Sequence, residues 1–483
     1  MTERPLWTPD SARTASSNLW RFMEPLGLKS FEEVRRFSVD EPEAFWSAVW
    51  DFCGVKAETR GRRVLVDAAK MPGAKFFPDA RLNYAENLLR KSDDSDALVF
   101  RGEDKVTRRM SWAELNAAVA RLHRALAAAG VKAGDRVSAI VPNMPEAIVC
   151  FLATSSLGAI WSSCSPDFGE RGILDRFGQI EPKILITCDG YYYAGKTIRM
   201  AGKVANVLRE LTSVEKALVI DYIGEAEDAA KALPKAQTLS SFVEGHSDAP
   251  IAFAQMPFGH PLYILYSSGT TGIPKCIVHG QGGILLKHLS EHVLNTDTKP
   301  TDKLFYFSTC GWMMWNWLVT GLAAGATLLL YDGSPFHPSE RALFDYAQAE
   351  GMTIFGTSAK YIDAVKKSGL QPKETHDLSK LRAMLSTGSP LSAESFDFVY
   401  ESIKQDMQLA SISGGTDICG CFVGGNPLSP VWRGEIQGPM LGMAMDVYDE
   451  QGHSIRAEKG ELVCVKPFPS MPVMFWNDPD GAK

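Results

Sequence analysis

Short apolar runs separated by helical patterns decide what this chain can fold into. Residues 137–141, 184–187, 217–220, 304–308, 326–331, 352–355 and 381–386 are runs of four to six residues, and several are apolar on both faces, as strands covered on both sides must be. Between them lie helical signals. Ser111 and Glu114 make a capping box, Leu115, Val119, Leu122 and Leu126 recur at helical spacing, and Gly130 closes the pattern. Strand and helix alternating in this way predict an α/β fold with mostly parallel, helix-covered sheets. A chain of 483 residues with 45% apolar content is too long for one core. Residues 1–90 are rich in aromatics, as in Phe45-Trp46-Ser47-Ala48-Val49-Trp50, and read as structural. Residues 91–433 carry paired α/β subdomains, with 224–258 expected as a surface excursion between two halves. Residues 434–483 alternate apolar and polar positions, with a strand expected at 461–465, and predict a small β subdomain of barrel-like kind.

Charge and composition exclude several classes of function. A net charge of −7 gives no general pull toward nucleic acid or an anionic membrane, so an anionic ligand must be held by local groups. No apolar run approaches the roughly 18 residues of a membrane span, and the first residues lack the apolar core of a signal peptide. A cytoplasmic protein without nucleic-acid or membrane partners is expected. The nine cysteines are scattered without zinc-site spacing. They read as reduced, mostly buried thiols, Cys276 included.

Residues 263–280, YILYSSGTTGIPKCIVHG, carry the chemistry. An apolar run feeds into Ser267-Ser268-Gly269-Thr270-Thr271-Gly272-Ile273-Pro274-Lys275, and a second apolar run follows. Glycines allow positive φ so that successive N–H groups converge, hydroxyls add hydrogen bonds, and Lys275 supplies a full positive charge. That combination is a polyphosphate cradle. A Walker A loop requires Gly-Lys-Ser/Thr opening a helix, whereas Lys275 follows Pro274 and precedes Cys276.

The loop closely resembles the signature loop of the adenylate-forming enzymes, the superfamily of acyl-CoA synthetases, luciferases and adenylation domains. Three further stretches match that superfamily in order. Thr387-Gly388-Ser389-Pro390 resembles the turn that lies along adenine and ends the acyl pocket. Ser413-Gly414-Gly415-Thr416-Asp417 resembles the segment whose Thr contacts the α-phosphate and whose acid holds Mg²⁺, usually Glu where this chain has Asp417. Gly311-Trp312-Met313-Met314-Trp315-Asn316-Trp317 resembles the acyl-pocket segment of acetyl-CoA synthetases. The resemblance implies the large N-terminal domain of such an enzyme, with residues 1–90 as the N-terminal extension of the acetyl-CoA synthetase type. It also implies ATP, Mg²⁺ and coenzyme A as participants, with Lys275 and Thr416 catalytic. Ser267, Ser268, Gly269, Thr270, Thr271, Gly272, Gly388, Ser389, Pro390, Ser413, Gly414 and Gly415 join them at ATP, and Asp417 holds the metal. Trp312, Met313, Met314, Thr387 and Gly414 line the acyl pocket.

In acetyl-CoA synthetases a Trp stands where this chain has Gly414, and its loss is expected to open the slot for several more heavy atoms. Residues 411–427, SISGGTDICGCFVGGNP, resemble the acetoacetyl-CoA synthetase branch, which implies acetoacetate as the acid. Asn316 and Ser413 are the polar groups to test first against a keto oxygen. For coenzyme A the matching place is the turn Tyr193-Ala194-Gly195, which points to Lys196 and Arg199. Relatives continue into a ribose-binding Asp, a hinge and a small C-terminal lid domain bearing a lysine. None of these falls within the 483 residues, so poor turnover by the chain as it stands is expected. A monomer is expected. Another short-chain acid (propionate, a branched or an aryl acid) and a lid-less nucleotide-binding pseudoenzyme are the alternatives.

Overall fold

The computed structural model describes residues 4–267, 272–478 and 481. Two large sheets organise it. The first has eight strands in the order Ala236–Thr238, Lys216–Ile220, Ile184–Cys188, Arg136–Ile140, Ile160–Cys164, Pro261–Tyr266, Cys276–Gly280 and Met474–Phe475. The first six run parallel and the last two antiparallel to their neighbours. The second has seven strands, Gln408–Ser411, Ala383–Thr387, Ile354–Ser358, Lys303–Tyr306, Thr327–Asp332, Asp96–Gly102 and Val106–Ser111, and is parallel except at its last pair. Ile160–Cys164, Ile184–Cys188 and Ala383–Thr387 are buried at every position. Their lack of polar alternation follows from helices covering both faces.

The sheets are not successive halves of the chain. The hairpin Asp96–Gly102/Val106–Ser111 joins the edge of a sheet whose other strands come some 200 residues later. Residues 224–258 are likewise no excursion between halves. They form the helices Ala226–Ala232 and Leu239–Val243 and the edge strand Ala236–Thr238, which extends the first sheet. Such pairings are set by contacts distant in sequence, which local composition does not report.

The chain passes between sheets through two helices. Trp112–Ala128 starts with the capping box Ser111/Glu114, and Gly130 ends it at a φ of 80°. Gln281–Leu289 is buried at all nine positions and continues as a wider turn, Ser290–Asn295. It packs against the strand Cys276–Gly280, the helix Met313–Thr320 and the N-terminal helices Pro42–Phe52 and Tyr84–Leu88. The N-terminal segment therefore shares the main core. Trp46 is fully buried, and a Cβ at Gly442 would lie 2.3 Å from its ring.

Beyond residue 411 the pieces are smaller. Ser413–Gly415, Gly420–Gly424 and Gly438–Pro439 form a three-stranded sheet, and Met445–Tyr448 pairs with Glu461–Cys464. Among the described residues no helix is long and apolar enough to cross a membrane.

Candidate active site

The phosphate-loop stretch is a β-hairpin. Pro261–Tyr266 runs antiparallel to Cys276–Gly280, with Tyr266 opposite Cys276. Past that pair, the Ser267 N–H donates to the Lys275 carbonyl at 3.1 Å, and the Lys275 N–H donates to Ser267 Oγ at 3.1 Å. Both ends of the loop are thereby pinned. Gly272 has a φ of 101°, a backbone conformation that favours glycine. Ser268, Gly269, Thr270 and Thr271 lie outside the described residues. A strand follows Lys275, as the sequence argued against Walker A. The Lys275 ammonium lies 5.6 Å from the centroid of the Phe475 ring, on the strand that closes the sheet.

The four motif segments meet at one cavity of about 550 Å³. Ser267 borders it on one side, Thr416 and Asp417 on another, and Thr387 with Gly388 on a third. Trp312, Met313 and Met314 complete the wall. Lys275 is joined to this border through its bond to Ser267. The site sits at the carboxyl ends of parallel strands, where open α/β sheets bind ligands. Thr387 ends the strand Ala383–Thr387 and donates from Oγ1 to the Ile412 carbonyl at 2.8 Å, fixing the turn against the next segment. Trp312 caps the helix Met313–Thr320 and meets Tyr306 edge-on at 5.9 Å. Asp417 is exposed, while Ser389, Pro390 and Ser413 do not line the cavity. The helix after the 387–390 turn opens only at Ala393, with Ser392 as its cap.

Gly414 departs from expectation. It faces Cys421 across the Ser413–Gly415/Gly420–Gly424 pair, and a Cβ there would lie 2.0 Å from the Gly420 carbonyl oxygen. The volume that a side chain at 414 would take is held by neighbouring backbone. The slot is walled by main chain there, rather than opened by a missing indole.

Behind that wall lies a feature the motifs did not indicate. Lys287 and Glu291 are a fully buried ion pair one turn apart. Glu291 also accepts the Cys421 N–H at 2.9 Å and the Trp317 indole N–H at 2.8 Å, and Lys287 donates to the Cys421 carbonyl at 3.1 Å. His288 bonds Thr320 through Nδ1 at 2.7 Å, and its Nε2 donates to the Cys419 carbonyl. His292 Nε2 donates to the Trp317 carbonyl at 2.8 Å. Burial pulls both histidines down to about 3, so they are neutral. The available signal was four ionisable residues, Lys287, His288, Glu291 and His292, inside the mostly apolar run 284–294. Charges buried there must be paired to be tolerated.

The expected coenzyme A residues are on the hairpin Gly190–Tyr193/Lys196–Arg199, turned by Ala194 and Gly195 at positive φ. Arg199 is engaged by Glu225 through two hydrogen bonds of 2.6 Å, and Lys196 is exposed. Tyr193 and Ile198 of this hairpin line a second cavity of about 590 Å³, together with Thr309 and Asp332. Burial lifts the Asp332 carboxyl to about 7, and the Tyr222 hydroxyl donates to it at 2.9 Å. Phe307, Ser308 and Thr309 border this second cavity while Trp312 to Met314 border the first, so one stretch of chain separates the two. Eight of the nine cysteines are buried, and burial pushes the Cys164 and Cys419 thiols to about 12, which leaves those two unreactive.

Comparison with known proteins agrees with this geometry. The model of the AMP-binding enzyme family matches residues 85–471, and that of the acetyl-coenzyme A synthetase N-terminus matches 31–88. The acetoacetyl-coenzyme A synthetase of Rhizobium meliloti (strain 1021) is 59% identical over 487 residues, covering 100% of this chain and 74% of the relative. A malonamoyl-CoA synthetase of Penicillium aethiopicum is 37% identical, covering 95% of this chain and 68% of that one. The solved acetoacetyl-CoA synthetase from Streptomyces lividans superposes with a TM-score of 0.93 at 43% identity, over 99% of this chain and 75% of that chain. Matched over residues 31–88 and 85–471 and along its whole length by these relatives, the chain belongs to the AMP-binding enzyme family and, within it, to the acetoacetyl-CoA synthetases.

Proposed function

We propose that this chain ligates acetoacetate to coenzyme A with ATP, through an acyl-adenylate, as an AMP-forming acid–thiol ligase. The convergence of Ser267, Thr387, Thr416, Asp417 and the Trp312–Met314 stretch on one cavity carries the reading. The acid's carboxylate attacks the α-phosphorus of ATP and pyrophosphate leaves. The coenzyme A thiol then adds to the acyl carbon and AMP departs. Two anions must meet in the first step, so preorganised positive charge is the main requirement. In this reading Lys275, bonded to Ser267 at the border, and Thr416 supply that charge and a donor.

An exposed carboxylate beside a hydroxyl at the phosphate end suits a hard cation, which needs one or two carboxylates and substrate oxygens. Asp417 would hold Mg²⁺, which neutralises phosphate charge when bound. We assign ATP to the border formed by Ser267, Gly388, Gly414, Gly415, Thr416 and Asp417, with Lys275 beside Ser267, and the acyl group to Trp312, Met313, Met314, Thr387 and Gly414. Coenzyme A approaches from the second cavity past Tyr193 and Lys196. Arg199 contributes only if it exchanges Glu225 for a phosphate. The protein acts as a cytoplasmic monomer in this reading.

The acids named for the relatives above, acetoacetate and malonamate, share a carbonyl on the third carbon. Pyrophosphate release measured over acetoacetate, malonamate, butyrate, propionate and benzoate tests the assignment. Acetoacetate should give the highest kcat/KM. A propionate or benzoate value above it overturns the choice of acid, and nucleotide binding without release for any acid overturns the ligase reading.

A further inference from the structure

Glu103 sits in the turn between the strands Asp96–Gly102 and Val106–Ser111 with its side chain fully buried, and its carboxylate accepts backbone N–H groups from two distant segments. Oε1 accepts from Ala194 at 2.6 Å and from Ser334 at 2.8 Å, and Oε2 accepts from Gly195 at 2.9 Å. A buried carboxylate is tolerated only with such donors around it. The backbone of Glu103 is committed as well. Its N–H donates to the Asp332 carbonyl at 3.0 Å, its φ of 47° lies in the left-handed region, and a Cβ on Gly333 would fall 2.2 Å from its Cγ. A residue other than glycine keeps such a φ only where its surroundings fix it.

The two segments that Glu103 joins both border the second cavity. Tyr193 and Ile198 come from the hairpin Gly190–Tyr193/Lys196–Arg199, and Asp332, Ser334 and Phe336 come from the end of the strand Thr327–Asp332 and the stretch after it. The hairpin is a two-stranded sheet of its own, a unit of marginal stability without outside support. Its base is tied by the Met200 N–H, which donates to the Asp189 carbonyl at 2.9 Å, and its turn is tied by Glu103. His337 closes over the same turn, since a Cβ on Gly195 would lie 2.8 Å from its Cε1. One carboxylate therefore sets how far the turn stands from residue 334, and with it the width of the cavity at that end.

We propose that Glu103 is a positioning residue for coenzyme A, acting through the backbone of residues 194, 195 and 334 to hold the second cavity at the width that substrate needs. The inference rests on the reading that coenzyme A approaches through that cavity, and deepens it. Glu103 itself lines neither cavity. Adenylation, which belongs to the first cavity, should therefore not depend on it.

The test compares the parent, Glu103→Gln and Ile198→Trp in two measurements. One is single-turnover pyrophosphate release from ATP and acetoacetate without coenzyme A, and the other is the coenzyme A KM in thioester formation. Glu103→Gln keeps the shape and sets an NH₂ group where an acceptor met backbone N–H groups. It should raise the coenzyme A KM by about ten- to a hundredfold and leave pyrophosphate release as in the parent. Ile198→Trp fills the second cavity and should raise the same KM. If Ile198→Trp leaves that KM unchanged, the coenzyme A reading of the cavity fails, and the role of Glu103 with it. If Ile198→Trp raises the KM but Glu103→Gln does not, or if Glu103→Gln slows pyrophosphate release as much as it raises the KM, the role of Glu103 fails while that reading stands. Should Glu103→Gln not fold, Glu103→Asp, which withdraws the carboxylate by one methylene, is read the same way. A raised coenzyme A KM with unchanged pyrophosphate release supports the proposal, and an unchanged KM overturns it.

Discussion

Glu291 and Lys287, neither exposed at all, join from behind two walls of the cavity lined by residues 312–314 and 414–417. The Glu291 carboxylate holds Cys421 on one wall and Trp317, on the helix of the other wall, while Lys287 holds the Cys421 carbonyl. Glu291 also lies against the wall's backbone, since a Cβ on Gly420 would fall 2.9 Å from its Oε1. The spacing between the Gly420–Gly424 strand and the Met313–Thr320 helix is thus set by one carboxylate.

Removing both members of that pair should cost less than the two single removals summed. Glu291→Gln leaves a buried ammonium uncompensated, with an expected loss of about 3–5 kcal/mol. Lys287→Met with Glu291→Gln should lose clearly less than the two single changes summed. Urea unfolding of the four proteins measures this. Additive losses would show that the two side chains do not act as a unit.

A side chain at Gly414 should destabilise the protein before it alters the choice of acid. Gly414→Ala drives a methyl to within 2.0 Å of the Gly420 carbonyl oxygen, an overpacking expected to cost about 1–3 kcal/mol. Gly414→Trp should lower the melting temperature further and leave no efficient acetate enzyme behind. A stable Gly414→Trp variant that prefers acetate would restore the view of an indole-sized gap.

Stability should fall steeply in mild acid. His279, His288 and His292 are fully buried and held near 3 by burial, against about 6.5 when unfolded. Below pH about 6.5 the unfolded chain takes up protons that the native form refuses, so unfolding gains as pH drops toward 3. Each histidine adds a slope on the order of 1.4 kcal/mol per pH unit inside that window, and none above it. Unfolding free energies at pH 7, 6 and 5 give the slope, and His292→Gln should reduce it by one proton. An unchanged slope in that variant would mean His292 is charged in the native state.

At the phosphate end, Lys275→Met should lower pyrophosphate release by about a hundred- to a thousandfold, the usual cost of one preorganised donor at a charge-building site. Asp417→Asn should instead raise the Mg²⁺ concentration needed for half-maximal rate. A Mg²⁺ titration of Asp417→Asn that matches the parent assigns the metal elsewhere.

The sequence by itself determined the fold class and, through the stretch 263–280, pointed to the family. Strands buried on both faces need continuous apolar runs, and a phosphate cradle needs glycines, hydroxyls and a lysine in order, so both write themselves into local composition. Only the tertiary structure decided which strands share a sheet, since 96–111 joins an edge made mostly after residue 300. It also decided that the place of a missing side chain at 414 is filled by backbone, that Arg199 is held by Glu225, and that Lys287 is paired while Asn316 is not. Each of these depends on what a side chain meets across hundreds of residues, and hydrogen bonding and close packing act on distance in space, not on neighbours in the chain.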